Sequence, residues 1–168
     1  MTEKGIPEGK RMISTTAEYG LRAAVYLAMH HGTPKTTAEI AEATMVPAGY
    51  LAKVLQAMGR HHLVGSQRGL GGGFHLTRPP QEITVLDVLA AVDSPIQRIT
   101  RCPLGLKSHM KLCPVHRLVD DAIRTVEEAF AQATLFSLLQ STRGSVKPLC
   151  EVHPQELIEH QMSSGPVV

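Results

Sequence analysis

The 168-residue sequence has no tryptophan, and aromatic residues make up only 4% of it. Proteins that hold single-stranded nucleic acid by base stacking need exposed aromatic side chains, so this class is disfavoured. No apolar run approaches the ~20 residues of a membrane-spanning helix, and residues 1–11 lack the apolar core of a signal peptide. We therefore expect a cytoplasmic protein that has no membrane partner.

Cysteine is scarce as well, and its count is odd at three. Without an export signal, this count disfavours a disulfide framework and favours metal binding, thiol chemistry or simple burial. Enzyme motifs are missing: GxGxxG fails at Phe74, and neither GxxxxGK[ST], a nucleophile elbow nor HExxH occurs. A cysteine nucleophile paired with histidine is the remaining enzyme alternative, which spacing alone does not establish. We predict that the protein is not an enzyme.

The net charge of +2 hides an uneven distribution of charge along the chain. No acidic residue lies between Glu42 and Glu82, whereas four basic residues give this stretch a charge of +4. They are Lys53, Arg60, Arg68 and Arg78. Three histidines in the stretch add fractional positive charge. The stretch is therefore a candidate surface for a polyanion.

Helix signals near this stretch predict a helix-turn-helix. Thr15 with Glu18, and Thr36 with Glu39, have the capping-box spacing that opens a helix. Pro47 suits the first turn of a third helix. Its apolar residues, at helical spacing, are Leu51, Val54, Leu55 and Met58. Two helices joined by a short turn, the second in the acid-free stretch, are typical of helix-turn-helix proteins.

The glycines of Arg68-Gly-Leu-Gly-Gly-Gly73, between two short strands, predict a β-hairpin, or wing. From Pro114 the spacing between apolar residues alternates between three and four positions, which is the pattern of a long helix paired with another. A second subunit is the simplest partner for this helix.

We predict a mainly α fold with a small β-hairpin wing, that is, a winged helix-turn-helix plus a long dimerisation helix. The predicted segments are a flexible leader (1–11), the winged helix-turn-helix domain (12–93), a sensory loop (94–113), the dimerisation helix region (114–140) and a flexible tail (141–168).

The sequence contains three distinctive motifs: Glu18-Tyr-Gly-Leu-Arg22, the wing Arg68-Gly-Leu-Gly-Gly-Gly-Phe-His-Leu76, and a cysteine-containing loop before the long helix. With the Tyr50-Leu51 pair and Ile83-Thr-Val-Leu-Asp-Val-Leu, they make residues 13–140 resemble the IscR/NsrR/CymR family of bacterial regulators. The resemblance implies a homodimeric winged-helix transcription factor, usually a repressor, that binds a palindromic operator in double-stranded DNA. It also implies an iron–sulfur cluster in the loop, as in many members.

In such a fold the third helix enters the major groove and the wing reaches the adjacent minor groove. The candidate DNA contacts are Ala48, Gly49, Tyr50, Ala52, Lys53, Arg60, Ser66, Arg68, Gly71 and Gly72. Family members often carry longer polar residues in place of Gly49 and Ala52, which implies a different operator or one recognised by its shape. A scaffold that keeps the fold without binding DNA is the alternative.

The candidate metal ligands are Cys102, Cys113, His116, His109 and Glu18. By the resemblance, Cys102 and Cys113 match the outer two of three family cysteines, and Cys113-Pro-Val-His116 matches the Cys-x-x-His form. The middle cysteine is replaced by Lys107 or Ser108.

Two alternatives to a cluster remain. Cys150-Glu-Val-His153 repeats the Cys-x-x-His spacing, and four such ligands suit tetrahedral zinc. Without any metal, the protein would sense a small molecule, a partner protein or oxidation of Cys113, whose thiolate the positive end of a helix favours. The predicted signal is accordingly redox state, nitric oxide or iron–sulfur status, with zinc, thiol oxidation or a small molecule as the alternatives.

Overall fold

The computed structural model describes residues 12–93, 96–102 and 112–141. In order along these residues lie α1 (Thr15–Met29), α2 (Thr37–Thr44), α3 (Ala48–Arg60), β1 (Val64–Gln67), β2 (Gly73–Leu76), a 3-10 turn (Pro80–Glu82), α4 (Val85–Val92), α5 (Pro114–Gln132) and α6 (Leu135–Gln140). The predicted mainly helical fold with one small β-hairpin is confirmed. The predicted leader and most of the predicted tail lie outside the described residues.

Capping boxes fix the starts of two helices. Thr36 accepts a hydrogen bond from the Glu39 amide while the Glu39 carboxylate accepts one from the Thr36 amide, so the predicted box at α2 is confirmed. Thr84 and Asp87 form the same arrangement at α4. Both boxes satisfy amides that have no partner within their helix.

The capping box predicted for α1 is wrong. Ser14 is the N-cap, and its hydroxyl accepts from the Ala17 amide at 3.0 Å. Thr15 is therefore the first residue of the helix, and Glu18 lies one position beyond the place from which a carboxylate reaches back to the cap. Glu18 instead forms an ion pair with Arg22, one turn further along α1.

The helix-turn-helix is built from α2 and α3, joined by residues 45–47. Met45 adopts the left-handed conformation with φ of 55°, which ends α2. Pro47 is the N-cap of α3 and so stands just before the helical turn predicted to contain it. Arg22 of α1 donates to the carbonyl of Thr44 at 3.4 Å, which ties the end of α2 to α1.

The core lies between α1, α3 and α4 and includes the apolar stripe predicted on α3. The four side chains of that stripe, Leu51, Val54, Leu55 and Met58, are at most 2% exposed. They form one cluster with Leu27 of α1, Ile40 of α2 and Val88 of α4. The orientation of α3, and hence of its outer face, is fixed by this packing.

The wing, residues 64–76, is an antiparallel hairpin in which Val64 pairs with Leu76 and Gln67 with Gly73. Lys35, just before α2, extends it by one bridge: its amide donates to Phe74 at 2.9 Å and its carbonyl accepts from Phe74 at 2.7 Å. A Cβ on Gly73 would lie 2.5 Å from the Lys35 backbone, so this close approach requires glycine. The wing is thereby joined to the helix-turn-helix.

The end of α5 packs on the rest of the chain. Phe130 and Ala133 contact a cluster formed by Ala17, Val85 and Leu89. The next helix, α6, was not predicted, and its Leu135 is fully buried in the main core. We call α1 to α4, the wing and α6 the head, and residues 96–102 with α5 the arm. Within the described parts of both, no helix is long and apolar enough to cross a membrane.

Candidate DNA-binding face and cysteine site

The outer face of α3 carries the predicted DNA contacts. Ala48, Gly49, Tyr50, Ala52, Lys53 and Arg60 are all exposed. Tyr50, 56% exposed, meets Tyr19 of α1 edge-on with ring centroids 6.1 Å apart, and the Lys53 ammonium lies 5.8 Å from the centroid of the Tyr50 ring. Tyr50 is therefore a surface residue held in place by two neighbours.

Sequence reasoning missed Gln56, which is exposed on the same face, one turn beyond Ala52. A glutamine amide can both donate to and accept from a base edge in the major groove, which is the bidentate contact made with adenine. The signal was available, because position 56 follows Ala52 and Lys53 by four and three residues on a helix. Gln56 supplies a polar group on a face whose predicted positions include Gly49 and Ala52.

The tip of the wing is formed by glycines in conformations that other residues rarely adopt. Gly69 and Gly71 have φ of 101° and 77°. Ser66, Arg68 and Gly71 are exposed, and Gly72 is half-buried. The amide of Gly72, one of the predicted DNA contacts, donates within the turn to the Gly69 carbonyl at 2.9 Å. Arg68 is thus presented on a turn whose backbone is closed by its own hydrogen bond.

A groove of about 630 Å³ lies between α3 and the wing. Its lining includes Thr37 of α2, Lys53, Gln56 and Arg60 of α3, and Ser66 of the wing, and no acidic side chain belongs to it. The N-terminus of α3, which has no acidic residue in its first turn, adds the positive end of a helix dipole to the same face. The face suits a polyanion in both shape and charge.

Three predicted ligands meet at the start of α5, and we call them the triad: Cys102, Cys113 and His116. The Sγ atoms of Cys113 and Cys102 lie 3.2 and 3.7 Å from Nδ1 of His116. Cys113 is the N-cap of α5 and His116 lies in its first turn, while Cys102 reaches them from the segment before the helix. Cys102 is 6% exposed, and both cysteines are thiols.

The other two predicted ligands are not part of this cluster as described. Glu18 is ion-paired with Arg22 on α1, and His109 lies outside the described residues, as do Cys150 and His153. Two sulfurs and one imidazole are donors that iron and zinc accept. Nevertheless, in the described segments no three or more histidine, cysteine, aspartate or glutamate side chains form a group that could hold a metal ion. The geometry is that of a thiol–imidazole cluster and does not complete a metal site.

A second polar group on the arm was missed from sequence, and we call it the clamp: Arg98 and Asp120. The Arg98 guanidinium donates to both carboxylate oxygens of Asp120 at 2.7 and 2.6 Å, and the Ile99 amide donates to Oδ1 at 2.9 Å. Hydrogen bonding from Arg98 lowers the pKa of Asp120. The planar guanidinium donates two hydrogen bonds to one carboxylate, and this bidentate pairing fixes the direction of the contact as well as its distance.

The outer face of α5 is apolar and open. None of its residues is buried, and Val115 and Leu118 are 66% and 71% exposed. Nearer the head, a cavity of about 330 Å³ between α5 and the start of the described chain is lined by Met12, Ile13, Ile96, Ile123, Val126 and Phe130. A face of this kind on a helix of 19 residues is typical of a protein interface.

The fold and the basic face between α3 and the wing define a winged-helix transcriptional regulator. The solved structure of CymR, the global cysteine regulator of Bacillus subtilis, superposes with a TM-score of 0.68 at 28% identity, covering 79% of this chain and 99% of that one. IscR of T. potens also gives 0.68, at 25% identity over 82% and 94%. The HTH-type transcriptional regulator IscR of Sodalis glossinidius is 30% identical over 159 residues, 87% of this chain and 95% of its own.

Two relatives from Mycobacterium tuberculosis are 38% identical over 94 residues, and this match spans only 58% of their length. The family model of Rrf2, described as iron-dependent transcriptional regulator, matches residues 13–141. The chain belongs to the Rrf2 family. The predicted family is thereby confirmed, and a regulator is favoured over an enzyme with a cysteine nucleophile.

Proposed function

We propose that this protein is a cytoplasmic, homodimeric regulator, acting as a repressor, that binds a palindromic DNA operator with α3 in the major groove and the wing beside it. The observation that carries the proposal is the acid-free face shared by α3 and the wing, where Lys53 and Arg60 line one groove and Arg68 projects from the wing tip. Phosphate contacts from such side chains set register, and base contacts from Tyr50 and Gln56 supply sequence preference.

The second copy in this proposal covers α5. An apolar face with Leu118 71% exposed is costly in water, and a two-fold axis allows the same face of two copies to cover each other. Dimerisation places two α3 helices at a fixed separation, which a palindromic operator matches. The molar mass in solution tests dimerisation and should be twice 18.2 kDa. Leu118→Asp should reduce the molar mass to that of one chain without changing the helix content.

The experiment that tests DNA binding starts from genomic fragments. The purified chain should enrich discrete sites that share an inverted repeat, and a labelled duplex of that sequence then gives the affinity at several salt concentrations. With about eight phosphate contacts per dimer, the affinity should fall ~1000-fold or more between 50 and 200 mM salt. Enrichment of no discrete sites, or affinity that is nearly independent of salt, would contradict the proposal and favour a scaffold that does not bind DNA.

We infer that the signal acts on the triad. His116 contacts both sulfurs, so loss of a thiol proton, oxidation or metal binding at either cysteine changes the contacts of the first turn of α5. Because α5 carries the proposed dimer interface, such a change favours one arrangement of the two heads over another, and operator affinity follows. The described residues do not complete a metal site, and the proposed coupling requires only the two thiols and the imidazole.

The nature of the signal is decided by two measurements. Anaerobic purification with iron, sulfide and zinc analysis, on the wild type and Cys102→Ser, tests the cofactor: stoichiometric iron and sulfide lost in the variant would establish a cluster completed from outside the described residues. Peroxide titration of operator binding tests the thiol alternative, because Cys113→Ser should abolish the sensitivity. If operator affinity depends on neither metal content nor peroxide, the triad does not sense the signal.

A further inference from the structure

The segment that carries Cys102 is fastened to α5 at two places. Cys102 contacts His116 in the first turn of the helix, and three residues earlier the Ile99 amide donates to Asp120 in the next turn. Arg98 closes the second attachment with two further hydrogen bonds to the same carboxylate. The segment therefore runs along α5 in the opposite direction to the helix.

Chain geometry makes the second attachment restrictive. Three residues span at most about 10 Å, and His116 and Asp120 are separated by about 6 Å along the helix axis. Once the Ile99 amide is fixed on Asp120, Cys102 can lie no further than about 10 Å from that point, a range that includes its place beside His116. Of these two attachments the one at Cys102 is the weaker, because a sulfur–nitrogen distance of 3.7 Å is a weak bond.

The chemistry of the pair suits such a role. Asp120 has 14% of its side chain exposed and accepts three hydrogen bonds, two of them from one planar guanidinium. Arg98 also reaches toward Glu127, two turns further along α5, with 3.8 Å between the charged atoms. The Arg98 guanidinium makes a bidentate contact with Asp120 and has Glu127 as a second acidic neighbour on the same helix. This geometry fixes the register of the segment, which an ordinary surface ion pair does not.

We propose that Arg98 and Asp120 are positioning residues for the triad: they hold the register of residues 96–102 on α5 and thereby keep Cys102 sheltered beside His116. This inference rests on the proposed function for its purpose, since the register links the state of Cys102 to the helix that joins the two copies. The geometric part concerns the reduced chain alone and needs neither DNA nor metal.

The test is the rate at which each cysteine of the reduced, chelator-treated full chain reacts with N-ethylmaleimide, followed by mass spectrometry of the peptides. In Asp120→Asn, Cys102 should react about fivefold faster or more, because the segment opens locally more often, while Cys113 changes little. Arg98→Lys keeps the charge and loses the fork, so an intermediate rate is expected.

The matched control is Asp121→Asn, the neighbouring carboxylate, which pairs with Arg124 along the helix at 3.2 Å. Its Cys102 rate should equal that of the wild type. Leu55→Ala, which weakens the head core, separates local opening from general loss of stability. An unchanged Cys102 rate in Asp120→Asn, or equal acceleration in Asp121→Asn or Leu55→Ala, would overturn the proposal.

Operator binding distinguishes this inference from the proposed function. If N-ethylmaleimide does not alter operator affinity of the wild type, sensing through the triad fails, while the reaction rates still decide the role of the clamp. If it does alter affinity, Asp120→Asn should bind as the wild type before modification and show a smaller change after it. A full response in Asp120→Asn would contradict the link between the register and α5.

Discussion

Helices α3 and α5 are both amphipathic, but they expose opposite faces. On α3 the apolar side chains are at most 2% exposed and a polar, basic face is left outside. On α5 none of the residues is buried, and Val115 and Leu118 stand mostly in solvent. The uncovered faces differ in chemistry: α3 presents positive charge, which suits a polyanion, and α5 presents apolar area, which the proposed second copy would cover.

The two helices are also held by different forces. Core packing fixes α3, whose stripe shares one cluster with α1 and α4. The outer half of α5 is connected to the described chain by the triad and the clamp, both polar, whereas apolar packing is concentrated near Phe130 at its other end. Apolar packing is strong and indifferent to chemistry at a cysteine, while polar contacts respond to it. The polar attachments of the arm are therefore the contacts on which the proposed signal would act.

The largest expected difference between the helices is in stability. Leu55→Ala in α3 removes a side chain that is 1% exposed and should lower the free energy of unfolding by about 2–5 kcal/mol. Leu118→Ala in α5 removes one that is 71% exposed and should cost under about 0.5 kcal/mol in the isolated chain. Urea unfolding followed by circular dichroism measures both.

The effect of protein concentration on stability distinguishes the two leucine variants further. If α5 is covered by a second copy, the cost of Leu118→Ala grows with concentration, because dimerisation stabilises the folded wild type by mass action. The cost of Leu55→Ala should change little over the same range. A Leu118→Ala variant as unstable as Leu55→Ala at the lowest concentration would show that α5 is covered within its own chain.

At the DNA-binding face, the wing tip carries one exposed cation, Arg68, whose removal tests the role of the wing. Arg68→Ala should weaken operator binding by about 1–3 kcal/mol, because it removes the charge at the wing tip, and should reduce the slope of log affinity against log salt. Arg124→Ala is the control: it removes an equal charge from α5, where Arg124 pairs with Asp121 and Glu128. Equal losses from both variants would mean that the effect is one of net charge and not of the wing.

A smaller effect is expected at the helix caps. Thr36→Ala removes the hydroxyl of the capping box at α2 and should cost about 1 kcal/mol of stability. Thr15→Ala, at a position inside α1, should cost only a few tenths, whereas Ser14→Ala should match Thr36→Ala. Comparing urea midpoints tests the corrected cap, and a loss at Thr15 equal to that at Ser14 would restore the capping box predicted from sequence.

Most of the head was predictable from local signals. Periodicity gave the buried side of α3, the spacing of Thr36 and Glu39 gave the start of α2, and the glycines of the wing gave the hairpin. Each of these signals acts over a few residues, so it is present in the sequence itself. The predicted cap of α1 lies one residue from the observed one because Ser14 and Thr15 are both good caps, and only Thr15 has the capping-box spacing to an acid, Glu18.

The arm was less predictable because its contacts are distant in sequence. Arg98 and Asp120 are 22 residues apart and belong to no periodic pattern, so nothing marks them as partners. The meeting of Cys102 and Cys113 at His116 was anticipated by resemblance, not by spacing. Helix α6 was missed because six residues after a break at Ala133 give too short a pattern, although Leu135 is fully buried.

The smallest effect concerns acid. Because hydrogen bonding from Arg98 lowers the pKa of Asp120, the stabilisation that the clamp supplies is complete above the ordinary carboxyl value of about 3.9 and is lost as the pH falls through the lowered pKa. The Ile99 amide, which donates to Asp120, reports this protonation directly, so its proton shift in nuclear magnetic resonance spectra should titrate below about pH 3.9 and should not titrate in Asp120→Asn. A midpoint at or above the ordinary value would show that Arg98 does not hold the carboxylate. With the expected midpoint below the ordinary carboxyl value, the clamp stays closed between pH 5 and 8.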